Sequence, residues 1–405
     1  MQPDYLDSNY SWFRLVISVL AGTVMSVGMW ATVLVLPAVQ EEFGISRADA
    51  SIAFTAAMIG FGFGNMWLGR VVDRFGIVPV LLGAGIVLAA SFGLSALVKS
   101  MWMFAALQLF IGISAAAGFG PLIADLSHWF LRRRGIAVAS AACGNYLAGA
   151  IWPLVLKGII DTQGWRTAFI VIATSSIVMI IPLALMLRRR PPQDASIVSA
   201  TGNGSSFNTI DIGLSPRMLQ VLLCIAAIAC CVAMAMPQVH IVAYCSDLGY
   251  GVTVGAEMLS LMLAGGIVSR LASGFIADYI GGVRTLLIGS ILQCLALFLY
   301  MPFDGLMSLY VVSLVFGLAQ GGIVPSYAII VREYLPAKEA GRQVGIVVMA
   351  SVMGMALGGW LSGLIYDLTG SYQAAFLNGI AWNFLNIAIM VMLLLRGRAR
   401  QVAAA

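Results

Sequence analysis

The chain has 405 residues, of which 61% are hydrophobic and only 10% are charged. Soluble domains carry about 25% charged residues, so this composition excludes a soluble enzyme, a nucleic-acid-binding protein and a disulfide-stabilised secreted domain. The formal net charge of +5 does not indicate nucleic acid as a partner, because the basic residues are divided among short loops. The six cysteines lie in apolar stretches without metal or redox spacing and are interpreted as small buried residues: Cys143, Cys224, Cys230, Cys231, Cys245 and Cys294.

Twelve apolar segments follow one another along the chain, and each is long enough to cross a bilayer as a helix, which requires about 20 residues. Eleven of them are free of charged residues, and the remaining one, 258–277, contains only Arg270. The sequence therefore predicts an all-α membrane protein with spans at 15–40, 50–69, 75–98, 100–124, 135–156, 167–187, 218–246, 258–277, 285–303, 305–331, 343–366 and 368–395.

The stretch 188–215 differs from its surroundings, because it is rich in Pro, Ser, Gly and Asn and cannot form a core. We interpret it as a linker between an N-terminal half, 1–187, and a C-terminal half, 216–405, with six spans each. An even number of spans places both termini on one side of the membrane. Most of the 22 Lys and Arg residues fall on that side, which the positive-inside rule identifies as the cytoplasm. The other side has only Arg47, Lys99, Lys157 and Arg166.

The two halves repeat several landmarks in the same order. The loop after span 2 reads GRVVDRFG at 69–76, and the loop after span 8 reads GFIADYIG at 274–281. Pro121 of span 4 recurs as Pro325 of span 10. Parallel repeats of six helices are the plan of a large class of secondary transporters, which hold substrate between the halves near the middle of the membrane.

With this loop signature, the chain resembles the major facilitator superfamily over essentially its whole length, two six-helix parallel repeats included. The resemblance implies that the loop aspartate, Asp73, rests on the N-terminus of a helix in the opposite half and helps to close the cytoplasmic side. A carboxylate in such a position gains about 0.3–1 kcal/mol. The same latch would include Gly69, Arg74 and Gly76, with Asp278 in the second loop. The alternative is that these loop charges only set the topology.

Arg270 lies inside span 8, too deep for its head to reach the outer surface and about two turns from the inner one. A guanidinium at that depth costs several kcal/mol unless it is paired or lies in a water-filled cavity. Its neighbours one turn away are Gly266 and Gly274. We therefore expect an anionic substrate as its partner, held by two charge-assisted hydrogen bonds. The alternative is a structural ion pair with Asp278 or Asp125.

An arginine at this place in span 8 also makes the chain similar to the monocarboxylate-transporter branch of the superfamily and its bacterial relatives. The resemblance implies transport of a lactate-like anion with a proton, or exchange of small dicarboxylates. In the animal carriers an aspartate precedes this arginine by one turn and a lysine lies in span 1; here the first position is Gly266, and residues 28–36 contain no lysine. Residues 343–366 carry no charge, so the lysine of an oxalate-type exchanger is absent. A single fixed positive charge favours a monoanion over a dianion.

Other polar residues within the spans are candidates for substrate binding or proton transfer. The resemblance implies a cavity lined mainly by spans 1, 4, 7 and 10, with help from spans 2, 5, 8 and 11. The candidates for hydrogen bonds to the substrate are then Asn145, Tyr146, Gln320 and Tyr327; for each, a bond between helices worth about 0.6 kcal/mol is the alternative. A histidine titrates near neutral pH, and the candidates for proton coupling are Asp125, His128 and His240. For the histidines, an ordinary hydrogen-bonded position at a helix end is the alternative.

The sequence thus predicts a secondary active transporter of a small organic anion, in the simplest case a monocarboxylate, working by alternating access with proton symport or anion exchange. Two alternatives remain open: export of an uncharged or cationic compound with Arg270 structural, and a membrane sensor that does not transport. No zinc cluster, nucleophile elbow or Walker loop is present, so an enzyme is excluded and no cofactor or metal is expected. The expected partners are the bilayer, the anion and protons. We expect a monomeric working unit in a bacterial inner membrane, with both termini in the cytoplasm.

Overall fold

The computed structural model describes residues 6–131, 133–189, 213–335 and 340–404, and the regular elements of these residues are helices. Most of the predicted linker, residues 190–212, lies outside the described residues. The helices are span 1, Asn9–Met25 and Val27–Phe43; span 2, Arg47–Phe75; span 3, Ile77–Ser95; span 4, Met101–Ala115 and Gly120–Leu126; spans 5 and 6, Arg134–Met186; span 7, Pro216–Asp247; span 8, Gly251–Ile280; span 9, Gly282–Leu299; span 10, Leu306–Gln320 and Ile323–Tyr334; span 11, Ala340–Thr369; and span 12, Tyr372–Ala404.

The 53-residue helix Arg134–Met186 is two spans joined without a loop. Gly164 interrupts it with φ 81° and ψ 166°, values far from those of a helix. Among the described residues, eleven helices are long and apolar enough to cross a membrane when this one is counted once. Division at Gly164 gives twelve, so the predicted all-helical architecture is confirmed.

Prolines explain why spans 4 and 10 are broken in the same place. Pro121 and Pro325 have no backbone N–H, so the carbonyl groups four residues earlier, at Ala117 and Gly321, lose their helical donors. Span 4 passes through a short 3₁₀ segment at Ala116–Gly118, and span 10 through a turn before Ile323. Each break leaves backbone polar groups that must find partners elsewhere, because lipid supplies none.

The chain divides into two compact units. The first comprises Met1–Phe43 and Ala56–Ser206, and the second comprises Gly44–Thr55 and Phe207–Ala405. The first turns of span 2 therefore group with the unit that contains spans 7 to 12, although they precede the rest of span 2 in the sequence. In both units many large apolar side chains are exposed, such as Trp102 and Phe275, as expected for helices that face lipid.

The internal repeat is visible in the backbone of both units. Gly76 and Gly281, which precede spans 3 and 9, have φ angles of 85° and 83°, and only glycine adopts this conformation without strain. Close helix contacts also recur. A Cβ atom added to Gly112 of span 4 would lie 2.0 Å from the carbonyl oxygen of Ala57, and one added to Gly317 of span 10 would lie 2.0 Å from that of Met262. Gly317 follows Gly112 in the sequence by the same number of residues as Met262 follows Ala57.

Candidate substrate site and its surroundings

Arg270 lies in the interior of span 8, and the residue is only 8% exposed. Its Nε atom donates a hydrogen bond of 3.3 Å to the carbonyl oxygen of Gly321. This is the carbonyl that Pro325 leaves without a helical donor. Arg270 therefore enters the break in span 10, and the bond uses one of the five N–H groups of a guanidinium.

Glycines allow spans 8 and 10 to approach each other at this level. A Cβ atom on Gly321 would lie 2.1 Å from the carbonyl oxygen of Gly266, and one on Gly322 would lie 2.2 Å from the Cβ atom of Ser273. The backbone of span 10 thus lies directly against span 8 on both sides of Arg270. A larger side chain in the turn would push the helices apart and move the guanidinium away from its carbonyl acceptor.

Asn65 of span 2 is the repeat counterpart of Arg270. Its Oδ1 atom accepts a hydrogen bond of 3.0 Å from the backbone N–H of Gly120, which begins the second part of span 4. Its Nδ2 atom donates to the carbonyl oxygen of Phe61 at 2.8 Å. Each unit therefore places a polar side chain in the break of its fourth helix, an amide in the first unit and a cation in the second.

Gln320 immediately precedes the carbonyl that Arg270 contacts. Its Oε1 atom accepts a hydrogen bond of 2.5 Å from Nε2 of Gln238 in span 7, and both residues are buried. Its own Nε2 atom has no hydrogen-bond partner among the described residues. The buried Nε2 group of Gln320 thus belongs to the residue directly before Gly321, whose carbonyl oxygen accepts the hydrogen bond from Arg270.

Tyr327, the other candidate in span 10, is held between helices. Its hydroxyl donates a hydrogen bond of 2.9 Å to Oδ1 of Asn386 in span 12, and Nδ2 of Asn386 donates to Oγ of Ser290 in span 9 at 2.7 Å. Tyr327 is 1% exposed. The structure therefore joins this hydroxyl to a network among spans 9, 10 and 12.

Asn145 and Tyr146 lie in the first unit, on span 5. The Nε1 atom of Trp30 in span 1 donates a hydrogen bond of 2.9 Å to Oδ1 of Asn145, and Nδ2 of Asn145 lies 3.7 Å from Sδ of Met29. Tyr146 is 7% exposed. Asn145 is therefore in contact with span 1, one of the spans that the resemblance assigns to the cavity.

Asp125 forms an ion pair with an arginine of span 1. Arg14 of span 1 donates from Nε to Oδ2 at 2.8 Å and from a terminal nitrogen to Oδ1 at 2.9 Å. The arginine is 1% exposed and the aspartate 7%. Arg14 also donates to the carbonyl oxygens of Leu187 and Arg189, at 3.0 Å each. Asp125, one of the alternative partners that the sequence offers for Arg270, is thus held by Arg14 within the first unit.

The two histidines have different surroundings. His128 follows Asp125 near the end of span 4 and is partly exposed. His240 of span 7 is 1% exposed, and its Nε2 atom lies 2.8 Å from the carbonyl oxygen of Gly359. A carbonyl only accepts, so this contact requires the Nε2 atom to carry a hydrogen. His240 is the proton-coupling candidate that shares a unit with Arg270.

The predicted latch residues lie at the ends of spans 2 and 8. The side chains of Asp73, Arg74 and Asp278 are exposed. Gly76 adopts its positive φ where span 3 begins, and a Cβ atom on Gly69 would meet nothing within 4 Å. The loop is thus built as a sharp turn with its charged side chains accessible. Among the described residues, no group of three or more His, Cys, Asp or Glu side chains is placed to hold a metal ion.

A family model described as Major Facilitator Superfamily matches residues 18–306 and residues 221–404. The chain belongs to the Major Facilitator Superfamily. This Major Facilitator protein is therefore a secondary transporter and not an enzyme, and it is an integral membrane protein.

Individual relatives of this Major Facilitator protein differ in the function that their names give. The chain is 25% identical over 389 residues to monocarboxylate transporter 13 of Bos taurus, a match that covers 90% of each chain. It is 23% identical over 331 residues to the agnestins efflux protein AgnL12 of Paecilomyces divaricatus, covering 79% of this chain and 73% of the relative. Among solved structures, the nucleoside transporter NupG has a TM-score of 0.73 at 16% identity, covering 94% and 99% of the two chains. At that identity, the structural likeness concerns the fold alone.

Proposed function

We propose that this transporter carries a small organic monoanion, in the simplest case a monocarboxylate, and that Arg270 binds its carboxylate. The observation that carries the proposal is a guanidinium buried in the interior of span 8, at the break of span 10. A membrane-buried arginine is energetically costly, and ionisable residues within transmembrane segments are known to mark substrate pathways. The similarity to monocarboxylate transporter 13 supports the same assignment.

The chemistry of the guanidinium suits a planar carboxylate. The bond from Nε to Gly321 fixes one edge of the group, and a carboxylate would accept two parallel hydrogen bonds from other N–H groups of the fork. Gln320, whose buried Nε2 atom has no partner among the described residues, is the candidate for a further donor. One cation paired with one carboxylate leaves a neutral complex, which favours a monoanion.

Counterflow of a radiolabelled monocarboxylate in proteoliposomes tests this function. We expect Arg270→Gln to abolish counterflow, and Arg270→Lys to reduce it severely because an ammonium cannot make the bidentate contact. The matched control is Arg284→Gln, which removes an exposed arginine from the same unit and should leave counterflow unchanged. Wild-type counterflow in Arg270→Gln would contradict the assignment of the anion to this residue.

The energy coupling follows from the same charge. An empty carrier with a buried cation reorients unfavourably, whereas the loaded, neutral form reorients readily. This favours anion exchange, or symport in which a proton enters with the anion. Uptake that requires internal anion and ignores a proton gradient indicates exchange, and acceleration by external acid without internal anion indicates symport. In the symport case, His240→Gln should remove the acceleration, since His240 lies in the unit of Arg270; Asp125 and His128 are the next candidates.

A second function is favoured by one observation and one relative. The bond from Arg270 to Gly321 satisfies a carbonyl that Pro325 has left without a donor, which a purely structural arginine would also do. The agnestins efflux protein is a relative of this chain, so export of an uncharged or cationic compound is the competing function. If it is correct, Arg270→Gln lowers the unfolding temperature of the purified protein while transport of the exported compound continues.

A further inference from the structure

In the first unit, an ion pair joins the end of span 1 to the beginning of span 6. Arg166 of span 6 pairs with Glu42 of span 1 at 2.5 Å, and it also donates to the carbonyl oxygens of Ala96 and Val98 at 2.7 and 2.8 Å. Trp165 donates from Nε1 to the same Glu42 carboxylate at 2.7 Å. These ends belong to the side that the sequence predicts to face outward. The acidic residue at the end of span 1 is therefore neutralised by its own half.

The second unit repeats the acidic residue but not its basic partner. Asp247 stands before Gly249 at the end of span 7, as Glu42 stands before Gly44 at the end of span 1. Alignment of Trp165 with Tyr372 places Gln373 where Arg166 stands in the first half. The span 12 position thus offers no cation to Asp247.

Arg47, the first residue of span 2, supplies the missing cation. It belongs to the segment Gly44–Thr55, which is part of the second unit. Its guanidinium bonds to Oδ2 of Asp247 at 2.5 Å and to Oδ1 at 3.3 Å. It also donates to the hydroxyl of Tyr372, and its Cζ atom lies 4.3 Å from the ring centroid of Tyr366, a cation–π distance. Arg47 is only 8% exposed.

The backbone of the same turn is bound by a second carboxylate. Asp367 of span 11 accepts hydrogen bonds from the N–H groups of Arg47 at 3.0 Å and Ala48 at 2.7 Å. The next N–H, of Asp49, donates to Oγ of Ser46 at 3.1 Å. A helix begins with N–H groups that have no helical acceptor, and a carboxylate there also interacts favourably with the helix dipole. The carboxylate of Asp367 in span 11 thus accepts hydrogen bonds from two of the N–H groups at the N-terminus of span 2.

Glycines of span 11 continue this contact along the segment. A Cβ atom on Gly363 would lie 3.0 Å from the carbonyl oxygen of Arg47, and one on Gly359 would lie 2.9 Å from the ring of Phe54. Thr55 donates from Oγ1 to the carbonyl oxygen of Ala356 at 2.9 Å. From Arg47 to Thr55, span 2 is therefore packed closely on span 11.

We propose that Arg47, Asp247 and Asp367 form a releasable outer latch, which fastens the start of span 2 to the C-terminal spans and must open for substrate to enter or leave on that side. The contrast with Glu42 and Arg166 supports a gating role. That pair joins elements of one half and can persist throughout the cycle, whereas the Arg47 contacts join residues of span 2 to spans 7, 11 and 12. Charged hydrogen bonds suit a latch, because they are directional and water can replace them when the segment leaves.

The experiment measures the rate at which cysteines at the start of span 2 and in span 11 crosslink, so the substrate need not be known. Cysteines replace Thr55 and Ala356, which are neighbours in the latched state, and a protease site is inserted in the linker, so that cleavage separates the halves unless the pair is crosslinked. We expect the crosslinking rate to fall about tenfold in Arg47→Gln and in Asp367→Asn, the size expected for loss of one charge-assisted interaction. Combining Arg47→Asp with Asp247→Arg should restore part of the rate.

The matched control is Arg166→Gln, which breaks the counterpart pair in the first unit and should leave the crosslinking rate unchanged. Protein without the introduced cysteines reports crosslinks through the native thiols. If Arg47→Gln does not fold, Asp367→Asn decides, because it retains the size of the side chain and leaves the Arg47–Asp247 pair intact. A wild-type crosslinking rate in Asp367→Asn, or an equal fall in Arg166→Gln, would overturn the latch.

Discussion

Arg14 and Asp125 form a two-pronged ion pair that is almost completely buried in the first unit. The pair joins span 1 to the end of span 4, and Arg14 additionally binds two carbonyl groups at the end of span 6. Burial of this kind makes each charge depend on the other, because an unpartnered ion in a low-dielectric interior is strongly destabilising.

We expect Asp125→Ala to lower the free energy of unfolding by about 3–5 kcal/mol, because it leaves the Arg14 charge buried without its carboxylate. The double variant Arg14→Met with Asp125→Leu should recover most of this loss, since apolar residues of similar size replace both charges. Thermal unfolding in detergent provides the measurement. A single variant as stable as wild type would show that the pair has no structural role.

Gly317→Ala is expected to prevent assembly of the second unit or to destabilise it severely. The new methyl group would lie 2.0 Å from the carbonyl oxygen of Met262, a distance at which the backbones of spans 8 and 10 must separate. Gly274→Ala is the control in the same unit, because a Cβ atom there meets nothing within 4 Å. The yield of monodisperse protein and its unfolding temperature distinguish the two. Equal behaviour of both variants would contradict the close packing of spans 8 and 10.

Tyr327→Phe separates the two interpretations of this tyrosine. The hydroxyl bonds to Asn386, so its loss should cost about 0.6 kcal/mol of stability, the average for a hydrogen bond between membrane helices. The affinity for the transported anion should remain within about threefold of wild type, since about 0.6 kcal/mol corresponds to a change of about threefold. A large loss of affinity at unchanged stability would instead support the sequence-based prediction that the hydroxyl binds substrate.

Asp73→Asn is expected to bias the carrier toward the state that is open to the cytoplasm. The loop aspartate is exposed, and the resemblance implies that it rests on a helix N-terminus when the cytoplasmic side is closed. Such a position contributes about 0.3–1 kcal/mol, so the closed state should lose up to about fivefold in population. Crosslinking of cysteine pairs across the cytoplasmic face reports closure. Asp278→Asn, in the repeat counterpart of the loop, shows whether the second loop contributes. Equal crosslinking in wild type and Asp73→Asn would remove the latch role from this residue.

The positions of the spans and their breaks could be predicted from the sequence because they depend on local properties. The length of each apolar segment sets a span, and the missing N–H groups of Pro121 and Pro325 break spans 4 and 10 wherever those helices lie. The repeat was readable from its loops for the same reason. Gly76 and Gly281 stand at turns that require positive φ, so the sequence keeps glycine at both.

The partners of the charged and polar residues could not be predicted, because they lie far apart in the sequence. Arg14 lies one residue before the predicted start of span 1, and only the packing of spans 1 and 4 brings it to Asp125. The resemblance predicts Tyr327 as a cavity residue because span 10 lines the cavity, and the sequence does not reveal that its hydroxyl bonds to Asn386 of span 12. Comparison of the two halves residue by residue would have found one signal: Asn65 stands where the second half has Arg270.

The contacts of Arg47 also constrain the order in which the protein can be built. Arg47 is synthesised early, and 325 residues separate it from Tyr372, so its aromatic and acidic partners do not exist while the first six spans enter the membrane. Glu42 and Arg166, in contrast, are complete as soon as span 6 has been inserted. The Glu42–Arg166 pair can therefore form during translation, whereas the contacts of Arg47 with Asp247, Asp367 and Tyr372 can all be in place only after span 12 has been synthesised.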